Sequence, residues 1–155
     1  MNFTIRGLPI DQFSHVLALG SEGLAAAGVS VITADAPHAF PCRITLDDAA
    51  AGEEVLLLNH AHQRGTTPYA SSGPIFIRRN AAATHIAYNA VPDQQRRRLL
   101  SVRAYDQRHW MVAADVAPGT ELELLIQQFF ARDDVAYLHV HNARHGCYAC
   151  RVDRG

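Results

Sequence analysis

The chain has 155 residues, 48% of them hydrophobic and 19% charged, with a formal net charge of −1. That composition belongs to a folded chain long enough for one sizeable core, and it excludes a disordered segment. The near-neutral balance gives no long-range pull toward nucleic acid or an anionic membrane, and with all fourteen basic residues arginine, lysine Schiff-base chemistry is excluded.

In chain order, residues 2–6 alternate as a short strand, and Asp11 then caps a helix that carries Phe13, Val16 and Leu17 on one face and ends near Gly20. A second short helix spans 21–27 and closes at Gly28. Residues 29–33 and 42–46 read as strands on either side of a loop holding Pro37 and Pro41. Residues 47–52 form a turn and 54–59 a strand. The stretch 61–74, rich in Gly, Pro, Ser and Thr, reads as a long loop, a feature often functional in compact domains. Residues 75–78 and 100–105 are strands flanking a region with a short helix near 93–98, and 110–116 is a strand stopped by Pro118-Gly119. Thr120 and Glu123 have capping-box spacing, and Leu122, Leu125, Ile126, Phe129 and Phe130 then follow the stripe of a core-facing helix. Residues 135–141 and 147–152 are two last strands joined by a turn at 143–146. The pattern predicts an α+β fold over a single domain, 1–155: a mainly antiparallel sheet with a few short helices packed on one face.

The chemistry-bearing residues gather near the end. His139 and His141 stand two apart, so on a strand both leave the same face, roughly 7 Å apart. Tyr137 shares that face, while Ala136, Leu138 and Val140 share the core side. Two neutral imidazoles at this spacing can bind a divalent transition metal such as zinc if further ligands converge, the candidates being a second pair, His60 and His62, together with His145, Cys147 and Asp106. Without a metal, the same imidazoles can act as acid or base near neutrality. Arg103 and Tyr105 alternate with Val102 and Ala104 and are placed on the histidine side.

Ser71, Ser72 and Gly73, beside Arg78, form a loop able to cradle an anion. Asn142 and Cys147 complete the ligand-binding candidates. Cys147-Tyr-Ala-Cys150 reads as structural thiols, because residues three apart on a strand face opposite sides, with Cys147, after Gly146, the one candidate for a reactive or redox-sensing thiol. The three arginines 96–98 read as a solvated helix face. Three cysteines form no even framework, the start lacks a secretory signal, and no apolar run reaches the roughly 20 residues of a membrane span; together these predict a cytoplasmic protein.

The segments Pro41-Cys-Arg-Ile-Thr-Leu-Asp-Asp, Gly52-Glu-Glu-Val-Leu-Leu-Leu-Asn, Pro68-Tyr-Ala-Ser-Ser-Gly-Pro-Ile-Phe-Ile-Arg, Ser101-Val-Arg-Ala-Tyr-Asp and His139-Val-His-Asn-Ala-Arg-His-Gly-Cys-Tyr resemble an uncharacterised bacterial family, domain of unknown function 1203. The resemblance covers residues 40–154. It implies a small stand-alone bacterial protein and carries no catalytic assignment. The expected function is a small-molecule enzyme or ligand-binding protein with a His/Arg-lined polar site for an anionic or carbonyl-bearing compound, metal-assisted if the histidines hold zinc. The alternative is a non-catalytic interaction or regulatory module. A homo-oligomer is compatible with either; nucleic-acid and membrane partners are not expected.

Overall fold

The computed structural model describes residues 2–155. Its strands are β1 (Phe3–Arg6), β2 (Ser30–Thr33), β3 (Glu54–Gln63), β4 (Ser71–Arg78), β5 (Ile86–Tyr88), β6 (Leu99–Tyr105), β7 (Met111–Pro118), β8 (Tyr137–Asn142) and β9 (Tyr148–Arg154). The helices are α1 (Ser14–Leu17), entered through a 3₁₀ turn at Ile10–Phe13, α2 (Ser21–Ala26), α3 (Asp93–Arg96) and α4 (Leu122–Phe130). The fold is α+β, and every described strand pair is antiparallel.

The strands divide between two sheets, ordered β5-β1-β9-β8-β6-β7 and β2-β3-β4. Alternation along β6, β8 and β9 sends Val102, Ala104, Leu138, Val140 and Val152 to one face of the larger sheet. There they pack with Leu122, Leu125, Ile126, Phe129 and Phe130 of α4. A second core joins Phe13, Val16 and Leu24 of the N-terminal helices to Leu56, Ile75 and Ile77 of the smaller sheet, with Tyr148 of β9 included. Because the smaller sheet lies against the opposite face, all six residues of β8 are buried.

Four expectations change. Residues 42–46 are not a strand. Their backbone groups bond to several separate segments: Arg43 N donates to Phe76 O, while Leu8 N and His85 N donate to Arg43 O and Ile44 O. Leu46 adopts φ 53°, which breaks any extended run. Gly7 is required here, because a Cβ on it would lie 2.1 Å from Ile44 O.

The long loop is shorter than its composition predicts. β3 runs on through His60 and His62 to Gln63, and Ser71-Ser72-Gly73-Pro74 already belong to β4, with Ser72 paired to Ala61 and Gly73 to His60. Pro74 is accommodated at the sheet edge, where no ladder donor is needed. Asp11 does not cap a helix: Pro9 occupies that position, and Thr84 Oγ1 accepts from Ile10 N instead. The Thr120/Glu123 capping box does not form, because Gly119–Glu121 make a 3₁₀ turn and Glu121 precedes α4 at φ −105°, ψ 2° without a side-chain cap. Strand β5, three residues against β1, has too short a pattern to be read from sequence.

Candidate functional site

β8 carries the site. Its cross-strand partners are Arg103 opposite His139, Ser101 opposite His141 and Tyr105 opposite Tyr137 on β6. On β9, Arg151 stands opposite His139, and a bulge after Val140 brings Tyr148 opposite His141. Directly paired residues share a face. Histidines, aromatics and arginines of three strands therefore form one surface, with Arg103 and Tyr105 on the expected side. The end of β3 covers it: Gln63 Nε2 donates to Tyr137 Oη at 2.8 Å, and the His62 ring stacks on Tyr148 with centroids 5.3 Å apart.

His62 thereby meets His139 and His141. Its ring centroid lies 6.3 Å from that of His139 and 5.0 Å from that of His141. His62 Nε2 is also 2.9 Å from Ser71 Oγ across the β3–β4 pair, a contact the loop reading of residue 71 conceals. His139 is enclosed by Tyr105, Tyr137 and Tyr148, each with its ring centroid 5.2 Å away. His141 Nδ1–H donates to Gly146 O at 3.0 Å, which leaves Nε2 as the bare acceptor of the neutral ring. That Nε2 is buried without a partner, as is His139 Nδ1.

Burial is the main reason these rings stay neutral. It pushes His139 down to about 2, helped by the positive charge of Arg151 and by His141, His62 and Arg103. Burial likewise brings His141 to about 4 against the opposing Gly146 hydrogen bond, and His60 to about 4 with help from Arg64. His62 is lowered by burial and then by Arg103. Tyr105 and Tyr137 are both raised by burial, so their hydroxyls remain protonated donors.

A cavity of about 260 Å³ opens on this cluster, lined by His60, His62, Gln63, Tyr137, His139 and Arg151 among others. His109 joins from the loop before β7, its Nδ1 2.8 Å from Tyr137 Oη. Sequence reasoning missed Gln63, His109, Tyr148 and Arg151. Counting the register back from the turn at 143–146 pairs Tyr148 with His141 and would pair Cys150 with His139; the bulge after Val140 shifts Arg151 into that place.

The expected residues do not all assemble. His60 reaches the cavity but its ring lies against Phe13, with centroids 5.5 Å apart. Ser72 is exposed, and Gly73 has open space where a side chain would stand. Arg78 is at the far end of β4, paired with Glu53 and drawn away by it. Tyr105 and Arg103 support the cluster from β6 without lining the cavity. Asn142 and Cys147 line a different cavity, beyond the other end of β8. The two candidate metal-ligating histidine pairs do not form one ligand set, since His60 faces Phe13, His62 Nε2 engages Ser71 and His141 Nδ1 engages Gly146. Among the described residues no group of three or more His, Cys, Asp or Glu side chains is arranged to hold a metal ion. All three cysteines are free, and burial raises the Cys150 thiol to about 12. No described helix is long and apolar enough to cross a membrane.

No curated protein and no solved structure matches this chain. A family model, described as "Protein of unknown function (DUF1203)", matches residues 39–154, a span that includes both histidine pairs and Ser71. The chain belongs to that family.

Proposed function

We propose that this DUF1203 protein is a small-molecule enzyme or binding protein, bacterial and cytoplasmic, whose imidazole-lined cavity takes an anionic or carbonyl-bearing compound. The observation that carries the reading is a pair of buried imidazole nitrogens without partners, His139 Nδ1 and His141 Nε2, in a cluster that opens on a cavity beside Arg151. Unpaired buried polar atoms cost free energy, and sites that tolerate them are commonly functional. Three free cysteines accord with a reducing compartment.

The chemistry follows from the charge states. A neutral imidazole can accept a proton, donate a hydrogen bond to a carbonyl, or do both through its two nitrogens. His62, hydrogen-bonded to Ser71 Oγ, is the general acid or base of the enzyme version, with proton exchange running between Nε2 and the bound compound or the hydroxyl. Arg151, held over the Tyr137 ring at 4.0 Å and paired through Nε with Asp153 at 2.7 Å, keeps its other guanidinium N–H groups for negative charge on the compound at the same wall. An anion seated there favours the imidazolium, so binding takes up a proton and tightens as pH falls. The alternative, a non-catalytic interaction module, calls for a flatter face than this concavity.

The test is a thermal-shift and calorimetric screen of small carboxylates, 2-oxo acids and phosphate esters. It is run on the wild type and on His62→Gln and His139→Gln. The expected result is a compound that stabilises the wild type, binds more tightly at lower pH and loses most of its affinity in both variants. Binding that neither variant changes, or no binding by any member of the three classes, would overturn the proposal.

A further inference from the structure

Beyond the far end of β8 lies a second and larger cavity, about 690 Å³, between the β8–β9 turn, the middle of β3 and β4, and the irregular segment 38–43. Four arginines line it, Arg43, Arg97, Arg98 and Arg144, and no acidic residue does. Arg97 and Arg98 share Asp48 behind the wall, with Arg97 also near Asp93. Arg144 is exposed, and among the described residues it makes no ion pair. The lining is therefore strongly cationic in a chain whose net charge is −1.

Arg43 is the unusual member. Only 1% of it is exposed, yet among the described residues no carboxylate pairs with it. Its partners are two carbonyls, Tyr148 O at 2.8 Å and Pro41 O, and the Cys147 sulfur, 3.0 Å from Nη2. A guanidinium stays protonated in proteins, and a buried charge without a counter-charge is unfavourable. Burial lowers Arg43 from the ordinary arginine value, and proximity to Cys147 works against that lowering.

A second atom beside it lacks a partner. Asn142, 7% exposed, directs Nδ2 to Cys147 Sγ at 3.6 Å, while its Oδ1 is buried and unpaired. A buried carboxamide acceptor left open at the edge of a cavity is satisfied by a donor on a ligand. Leu57 and Phe76 add apolar lining.

We propose that this cavity is a binding site for a small organic anion that carries a hydrogen-bond donor. Arg43 and Arg144 supply the positive charge, Asn142 Oδ1 accepts from the donor, and the half-buried Cys147 lines the cavity beside them. The site draws on none of the imidazole nitrogens of the first cavity, so its success or failure is independent of the function proposed above.

Cys147 offers a direct test, because the other two cysteines are buried. Alkylation by iodoacetate or iodoacetamide forms a sulfur–carbon bond and releases iodide and a proton, but only iodoacetate is an anion. The rates at Cys147 are measured by mass spectrometry on the native full chain and on the same chain unfolded in urea. The iodoacetate-to-iodoacetamide rate ratio should be about tenfold or more higher in the native protein, as a cationic cleft concentrates anions. Arg144→Gln, an exposed change that leaves the fold intact, should lower that ratio by about threefold. Inorganic phosphate should slow the iodoacetate reaction more than sodium chloride of equal ionic strength. A native ratio equal to the unfolded one, a ratio unmoved by Arg144→Gln, or phosphate acting only as salt would each overturn the proposal.

Discussion

Mild acid should destabilise this protein well above the pH at which its carboxylates protonate. Burial holds His60 and His141 at about 4 and His139 at about 2, against an ordinary value of 6.5. The native state therefore keeps these rings neutral where the unfolded chain protonates them. The stability they contribute is fully present above about pH 6.5 and is lost as pH falls from there toward the native values. At about pH 5 each ring costs about 2 kcal/mol relative to neutrality, and the three together about 6 kcal/mol. A domain of this kind has only about 5–15 kcal/mol in total. Unpaired carboxylates remain largely ionised at about pH 5, so the window belongs to histidine. The assay is urea unfolding followed by fluorescence of Trp110, the single tryptophan, at steps from about pH 7.5 to 5, with free energies from linear extrapolation. His139→Gln should flatten the dependence by about one proton. A free energy constant within about 1 kcal/mol across the window would refute the claim that these imidazoles are buried and neutral.

Three further outcomes follow from the packing. Gly7→Ala should cost at least about 2 kcal/mol in chemical denaturation, because its Cβ would meet Ile44 O at 2.1 Å, whereas Gly20→Ala, with open space around it, should cost less than about 1 kcal/mol. Tyr137→Phe removes the hydroxyl between Gln63 and His109 and should lower stability by about 1–3 kcal/mol, since it strands the buried Gln63 amide; a neutral effect would mean that amide finds another partner. Elemental analysis of untagged protein should find no stoichiometric zinc that disappears in a His139→Ala/His141→Ala variant, and its presence would show that the imidazoles turn to form a ligand set the described arrangement lacks.

The sequence made much of the fold legible because its strongest signals are periodic. The α4 stripe Leu122, Leu125, Ile126, Phe129 and Phe130 is buried as its spacing requires, and alternation along β8 correctly separates Leu138 and Val140 from His139 and His141. What alternation cannot give is the number of layers. The histidine side of β8 reads as the sheet's polar, site-bearing face, yet the smaller sheet covers it, and that cover is a long-range contact no local pattern encodes. The same limit explains residues 42–46, whose strand-like composition serves burial among several segments instead of one neighbour. At the site, His62, His139 and His141 do come together, as their residue type suggested. Ser71 joins through the strand pairing that its loop-like composition obscured. Arg78 was misplaced because proximity in sequence to Ser71 is distance along a strand: seven residues span roughly 23 Å. The missing acidic partner of Arg43 is invisible in one dimension, where Asp47 and Asp48 lie close by, although Asp48 turns to Arg98.

The two cavities share a wall only a few residues long, with His139 at one, Asn142 at the other and His141 between them. His141 is held neutral first by burial, and Arg43 is among the charges that add to the effect. An anion seated at Arg43 would cancel part of that positive field and make His141 easier to protonate. By thermodynamic reciprocity, a proton taken up at His141 would tighten the hold on the anion by the same factor. With both cavities occupied, strand β8 would join two compartments into one linked equilibrium whose messenger is electrostatic potential, carried across about 10 Å of strand.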